Sequence, residues 1–191
     1  MAEIFEDDIK QCIQLMERSG VILYPTDTIW GLGCDATDAT AVQKIYNIKK
    51  RADSKSLIIL VAEERDILHY VAAPDPAVFL FLEDQTKPTT VIFNGAIGLP
   101  DNLIAADGSV AIRVVHDKFC RHLIKRLRKP LVSTSANISG EQTAAHFLEV
   151  SNIIKDSADY IVKWRQDDRN PSQPSQIIRW KENGNYDVIR P

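Results

Sequence analysis

Val21-Ile22-Leu23-Tyr24-Pro25-Thr26-Asp27-Thr28-Ile29-Trp30-Gly31-Leu32-Gly33 begins as an apolar run and is cut by a proline into a loop dense in hydroxyls and glycines. An apolar run of this length ended by proline reads as a buried strand, because proline cannot donate to a ladder. The loop after it offers the Thr26 and Thr28 hydroxyls at a strand end. Pro130 to Thr134 reads as a second such strand, feeding Ser133-Thr134-Ser135-Ala136-Asn137-Ile138-Ser139-Gly140. Between the two lies Lys49-Lys50-Arg51, at or just past the end of a predicted helix. Serine and threonine at a strand end are often mere turn residues. Two such loops together with a basic cluster point instead to a site for an anionic ligand.

Working outward, strands and helices alternate without a repeat. Ile9, Cys12, Ile13 and Met16 recur at helical spacing, with Gly20 as a stop. Asp38 is placed to cap a helix whose apolar face is Val42, Ile45 and Tyr46. Leu57 to Val61 reads as a buried strand, Glu63 to Tyr70 and Pro76 to Leu82 as helices, and Thr89 to Phe93 and Val110 to Val115 as strands. Asp117 caps a helix carrying Phe119, Leu123, Ile124 and Leu127. A helix is predicted near Ala144 to Lys155 and a short strand at Tyr160 to Val162. Gln176 to Trp180 and Tyr186 to Arg190 form a terminal hairpin. The expected fold is α/β, one domain over residues 1–191 with a twisted mixed sheet flanked by helices. The polar segment Lys163 to Ser175 is the one candidate linker, and a candidate lid.

The bulk properties exclude several classes. With 191 residues, 45% hydrophobic and 26% charged, the chain has the profile of an ordinary globular domain. Its apolar runs are strand-sized, so no membrane association is expected. The acidic N-terminal stretch is no signal peptide, and three scattered cysteines fit a reducing cytosol, so a cytoplasmic location is expected. A net charge of −3 is not that of a basic nucleic-acid binder, although Lys118, Arg121, Lys125, Arg126, Arg128 and Lys129 cluster. That cluster reads first as the solvated face of a helix.

Strong general motifs are missing. There is no Gly-x-x-x-x-Gly-Lys-Ser/Thr loop and no Gly-x-Ser-x-Gly elbow, and Gly31-Leu32-Gly33-Cys34-Asp35-Ala36 is a poor dinucleotide fingerprint. His69, His116, His122 and His146 lack metal-ligand spacing, so no tightly bound metal is expected. What remains is a site of hydroxyls, an amide and cations. Thr26, Thr28, Ser133, Ser135, Ser139 and Asn137 can donate to phosphate or carboxylate oxygens. Lys49, Arg51, Lys55 and Arg113 can neutralise phosphates. Arg113, inside an apolar strand, needs a partner, either as a structural ion pair or as a ligand clamp.

These residues resemble the YrdC-like family of threonylcarbamoyl-AMP synthases. Tyr24-Pro25-Thr26-Asp27-Thr28 with Gly31-Leu32-Gly33 is similar to its opening motif. Lys49-x-Arg51 and Ser135-x-Asn137 are similar to its signature pair, Ala111-Ile112-Arg113-Val114 to its arginine-bearing strand, and Pro174-Ser175 with Ile189-Arg190-Pro191 to its closing segments. The resemblance covers nearly the whole chain and implies the single-domain bacterial form, with a positively charged concave groove. It implies a reaction that joins L-threonine, bicarbonate and ATP, carried in with Mg2+, into threonylcarbamoyl-AMP and pyrophosphate. The product would supply threonylcarbamoylation of tRNA through the bacterial threonylcarbamoyl-transfer complex. Carried over by position, Lys49, Arg51, Ser135 and Asn137 are the catalytic set. ATP falls to Lys49, Arg51, Lys55, Arg113, Ser135, Asn137 and Arg190, and threonine to Thr28, Leu60, Ser133 and Ser175.

Four departures stand out. Leu60 replaces a histidine five positions after Lys55, Thr86-Lys87-Pro88 replaces Pro-Gly-Pro, Gln176-Ile177 follows Pro174-Ser175 in place of Thr-Val, and Trp30 replaces a tyrosine. Two other readings follow. One is a non-catalytic module binding tRNA or double-stranded RNA, which the resemblance also implies. The other is a paralogue using another amine substrate. Both signature pairs are intact, which favours the synthase.

Overall fold

The computed structural model describes residues 4–50, 57–170, 172–181 and 184–191. Arg51 and Lys55 lie outside the described residues. In chain order the elements are α1 (Glu6–Met16), β1 (Ile22–Tyr24), β2 (Gly31–Gly33), α2 (Ala39–Lys49), β3 (Ile58–Val61), α3 (Ala77–Glu83), β4 (Thr89–Phe93), β5 (Val110–Val114), α4 (Lys118–Leu127), β6 (Leu131–Ser135), α5 (Asn152–Ser157), β7 (Tyr160–Ile161), β8 (Gln176–Trp180) and β9 (Tyr186–Arg190). Among the described residues, nine strands form one sheet in the order β7-β1-β2-β6-β3-β5-β4-β8-β9. The pairs β1/β7, β3/β5 and β4/β8 are parallel and the others antiparallel, so the sheet is mixed as expected.

The period of two along each strand sorts side chains onto two faces. In and beside β1, Ile22 and Tyr24 join the cluster under α1 and α4, whereas Val21 and Leu23 join the cluster under α2 and α3. The first cluster is built from Phe5, Ile9, Cys12 and Met16 of the α1 region and Phe119, Cys120, Leu123 and Ile124 of α4, all buried. Each fully buried large apolar side chain contributes about 1.5–3 kcal/mol. The helices start where their caps dictate. Asp38 Oδ1 accepts from Thr40 N (2.9 Å) and Ala41 N (3.2 Å), and Asp117 Oδ1 accepts from Cys120 N (2.9 Å).

Three sequence expectations are corrected. Gly31–Gly33, read as loop, is a strand between β1 and β6. Gly33 is required there by packing: a Cβ on it would stand 2.5 Å from the Tyr24 ring and 2.5 Å from the Val132 carbonyl oxygen. Glu63 to Tyr70 is a 3₁₀ turn (Glu64–His69), with the Glu63 and Asp66 side chains each accepting from the other's main-chain amide. The helix expected near Ala144 to Lys155 is split into a 3₁₀ turn (Phe147–Glu149) and α5. Ser151 stops one and caps the other through Ile154 N (3.4 Å).

Candidate active site

α1 and α4 cover only part of their face of the sheet. Beyond them the same face is open, and a cleft of about 270 Å³ lies on it. Register explains which residues reach it. One cross-strand row runs Leu60, Arg113, Thr90, Ile177, Arg190, and a neighbouring row on the same face runs Ser133, Ile58, Ala111, Ile92. A register shift between Ile177 and Ile178 inserts Ile189 as a bulge, so Arg190 stands opposite Ile177. Both arginines therefore project from one face.

Arg113 is 4% exposed. Its Nη1 donates to Thr28 Oγ1 at 3.1 Å, and its Nη2 lies 3.0 Å from Asp27 Oδ1, in ion-pair range but off the hydrogen-bonding direction. Nε has no acceptor among the described residues. A buried guanidinium needs acceptors, so this edge is suited to an anion. Arg190 donates from Nε and Nη2 to the Ser175 carbonyl oxygen (3.0 and 2.7 Å). Lost hydration, and the Arg113 charge after it, draw Arg190 below the usual arginine range. Among the described residues it has no carboxylate partner, so the cleft holds two cations against one carboxylate. Two hydroxyls of the wall are held from behind: Ser175 Oγ lies 2.8 Å from buried Thr90 Oγ1, and Thr28 Oγ1 lies 2.9 Å from buried Thr26 Oγ1.

The loop after β6 is held by Lys49, which is 1% exposed. Its Nζ donates to the carbonyl oxygens of Ser135 (2.5 Å) and Asn137 (2.7 Å), with Asn137 Oδ1 at 3.4 Å. The Lys49 carbonyl accepts from Ser139 N at 3.0 Å. Ser135 Oγ donates to Asn137 Oδ1 at 2.5 Å, and Asn137 Nδ2 donates to Glu141 O at 2.6 Å. Lys49 is thus turned toward the loop's own carbonyls.

Of the residues expected at the site, Thr28, Arg113, Ser133, Ser135, Ser175 and Arg190 line this one cleft. Asn137 does not line it but accepts from the Ser135 hydroxyl. Leu60 does not line the cleft; it is fully buried in the cluster beneath α1 and α4, two residues along its strand from Ile58, which does. Sequence reading gave no role to Asp27 or Thr90, whose only signals were a carboxylate inside the opening motif and a threonine in an apolar strand. The second basic cluster is partly neutralised: Lys125 pairs with Glu63, Arg126 with Glu6, and Lys129 with Asp35 (2.6 Å). Among the described residues no group of three or more His, Cys, Asp or Glu could hold a metal ion, and no helix is long and apolar enough to cross a membrane.

Comparison with known proteins gives concordant matches. The profile of the Sua5_yciO_yrdC family, described as "Telomere recombination", matches residues 14–191. A threonylcarbamoyl-AMP synthase from Idiomarina loihiensis is 34% identical over 164 residues, which is 84% of this chain and 87% of that protein. P. abyssi Sua5 complexed with L-threonine superposes with a TM-score of 0.87 at 22% identity over 100% of this chain; the match spans 55% of the Sua5 chain. E. coli YciO superposes with a TM-score of 0.81 at 23% identity, over 96% of this chain and 88% of that one.

Proposed function

Because the chain belongs to the Sua5_yciO_yrdC family, we propose that it joins L-threonine, bicarbonate and ATP into threonylcarbamoyl-AMP and pyrophosphate. The observation that carries this reading is the pair Arg113 and Arg190 on one open sheet face, with only Asp27 beside Arg113 as a carboxylate partner among the described residues and hydroxyls from Thr28, Ser133, Ser135 and Ser175 around them. The named synthase relative at 34% identity supports it.

The chemistry follows from charge. The threonine ammonium and bicarbonate condense to a carbamate, with formation of a C–N bond and release of water and a proton. A carbamate oxygen then attacks the α-phosphorus of ATP, and the bond to pyrophosphate breaks. Both partners are anions, so the protein's task is neutralisation and alignment, with no protein nucleophile. Arg113 and Arg190 face the nucleotide phosphates, and Arg51 and Lys55 supply further phosphate contacts. Mg2+ arrives with ATP as part of the substrate. Thr28, Ser133 and Ser175 bind threonine. Ser135 and Asn137 stand at the junction of the two substrates, with Lys49 holding their loop. The product passes in the cytoplasm to the complex that threonylcarbamoylates tRNA.

The test is pyrophosphate release by the purified protein with ATP and bicarbonate, with and without L-threonine, and mass spectrometry of the adenylate. Threonine-dependent release with the threonylcarbamoyl-AMP mass is expected. Release that ignores threonine but follows another amine would move the chain to a paralogous substrate, and nucleotide binding without turnover would refute the synthase reading.

A further inference from the structure

We propose that Arg165 is a positioning residue for the loop carrying Thr28, acting through the main-chain carbonyl of Thr26. The inference deepens the synthase reading, on which only its kinetic arm rests. Arg165 follows β7 and stands at φ +63°, a left-handed conformation that a non-glycine residue keeps only when its surroundings enforce it. Here they do. The two preceding amides, Lys163 N and Trp164 N, both donate to buried Asp8 at 3.0 Å, and Asp8 also accepts from Tyr160 Oη at 2.6 Å. The segment read from sequence as a lid is therefore pinned where it begins.

From this fixed backbone the guanidinium spreads over three acceptors. Nε and Nη2 donate to Asp168 Oδ2 (3.2 and 3.1 Å), and Nη1 donates both to Asp117 Oδ2 (3.1 Å) and to the Thr26 carbonyl (3.1 Å). Asp117 caps α4, so one side chain ties a helix end to the loop between β1 and β2. Thr26 is 2% exposed, and its hydroxyl is fully engaged: it donates to Ile29 O (2.9 Å) and accepts from Thr28 N (3.0 Å). Thr28 in turn accepts from Arg113. Arg113 holds the loop from the cleft side, at Thr28 and Asp27; the loop's other ties, Cys120 Sγ to the Pro25 carbonyl and His116 N to Asp27 Oδ2 at 3.3 Å and Ala136 N to the Trp30 carbonyl at 3.1 Å, come from neutral donors. Away from the cleft, the charged donor at Thr26 is stronger than these neutral ones. Arg165 does not line the cleft, so substituting it deletes no cleft group and acts through the orientation of the loop.

The experiment compares Arg165→Ala, Arg165→Lys and Arg165→Gly with the unaltered protein. Glycine removes the guanidinium while accepting the left-handed backbone, so it stands in if the alanine variant fails to fold. Amide hydrogen exchange is followed at residues 26–30 and in β3 and β5, and KM is measured separately for threonine and ATP. In the alanine and glycine variants, loop exchange and threonine KM are each expected to rise about tenfold, with exchange in β3 and β5 and the ATP KM changed less than about twofold. Lysine should restore part of the loss. Unchanged exchange in the loop, or equal acceleration across the sheet, would overturn the proposal. If the unaltered protein shows no threonine turnover, the synthase reading fails and the exchange measurement still decides the role of Arg165.

Discussion

Among the described residues Arg113 has one carboxylate within ion-pair range, Asp27, whose side chain is 12% exposed. Removing the cation alone strands that carboxylate in a poorly hydrated place, and breaking a buried pair from one side costs about 3–5 kcal/mol. Arg113→Met should therefore lower the urea midpoint sharply. Adding Asp27→Asn should recover most of that loss, while neither variant binds pyrophosphate in calorimetry. A double variant no more stable than Arg113→Met would show that the pair is not what the arginine stabilises. Sequence made Arg113 visible, because a cation inside Val-Ala-Ile-x-Val is out of place. It could not show that Leu60 misses the cleft. Leu60 and Ile58 share a face, and only the edge of the helix layer puts one in the core and the other in the wall. The partners of Lys49 were equally hidden, since its acceptors lie 86 and 88 residues along the chain.

Among the elements, α3 and the β8–β9 hairpin meet through Asp75. Its carboxylate accepts from Ala77 N (3.0 Å), Trp180 Nε1 (3.2 Å) and Gly184 N (3.3 Å). The Ala77 amide first, then the Trp180 indole, hold it below its usual value of 3.8. A carboxyl lowered in the folded state stabilises fully above that usual value and loses the contribution as pH falls toward the folded one. Thermal melts at pH 7 and pH 3 should then show Asp75→Asn less stable than the unaltered protein at pH 7, with the gap narrowing at pH 3. A constant gap would mean that the carboxylate's charge is not what joins the two elements. At this scale sequence reading was strongest where a cap or a period was local, as at Asp38, Asp117 and α1. It failed at β2, whose glycines look like loop until Tyr24 and Val132 close around Gly33, and at Ser151, where a good capping residue split an expected helix in two.

For the whole molecule, the consequence of the layout is that one sheet face is covered by α1 and α4 over part of its width and open over the rest, so the site spans several strands rather than one loop. Arg113, Ser175 and Arg190 come from β5, the segment before β8, and β9, and a ligand that engages them ties the C-terminal hairpin to the centre of the sheet. The chain carries a net charge of −3, yet this cleft concentrates guanidinium groups, so an anion at the site is held by local charge, and the part facing buried Arg113 is only weakly screened by salt. A ligand that binds only the folded state at about 100 times its Kd stabilises by about 2.7 kcal/mol, which for a domain of this size raises Tm by roughly 5–10 °C. Pyrophosphate or ATP should produce that rise in the unaltered protein. Arg190→Ala should cut it by more than half with little change in the ligand-free Tm, because Arg190 is exposed and its partners are the Ser175 carbonyl and hydroxyl. If Arg190→Ala keeps the full rise, the anion does not bridge to β9, and the site contracts to the groups around Arg113. If it lowers the ligand-free Tm as much as the bound one, Arg190 is a strut of the hairpin, and the second cation of the cleft must be sought elsewhere.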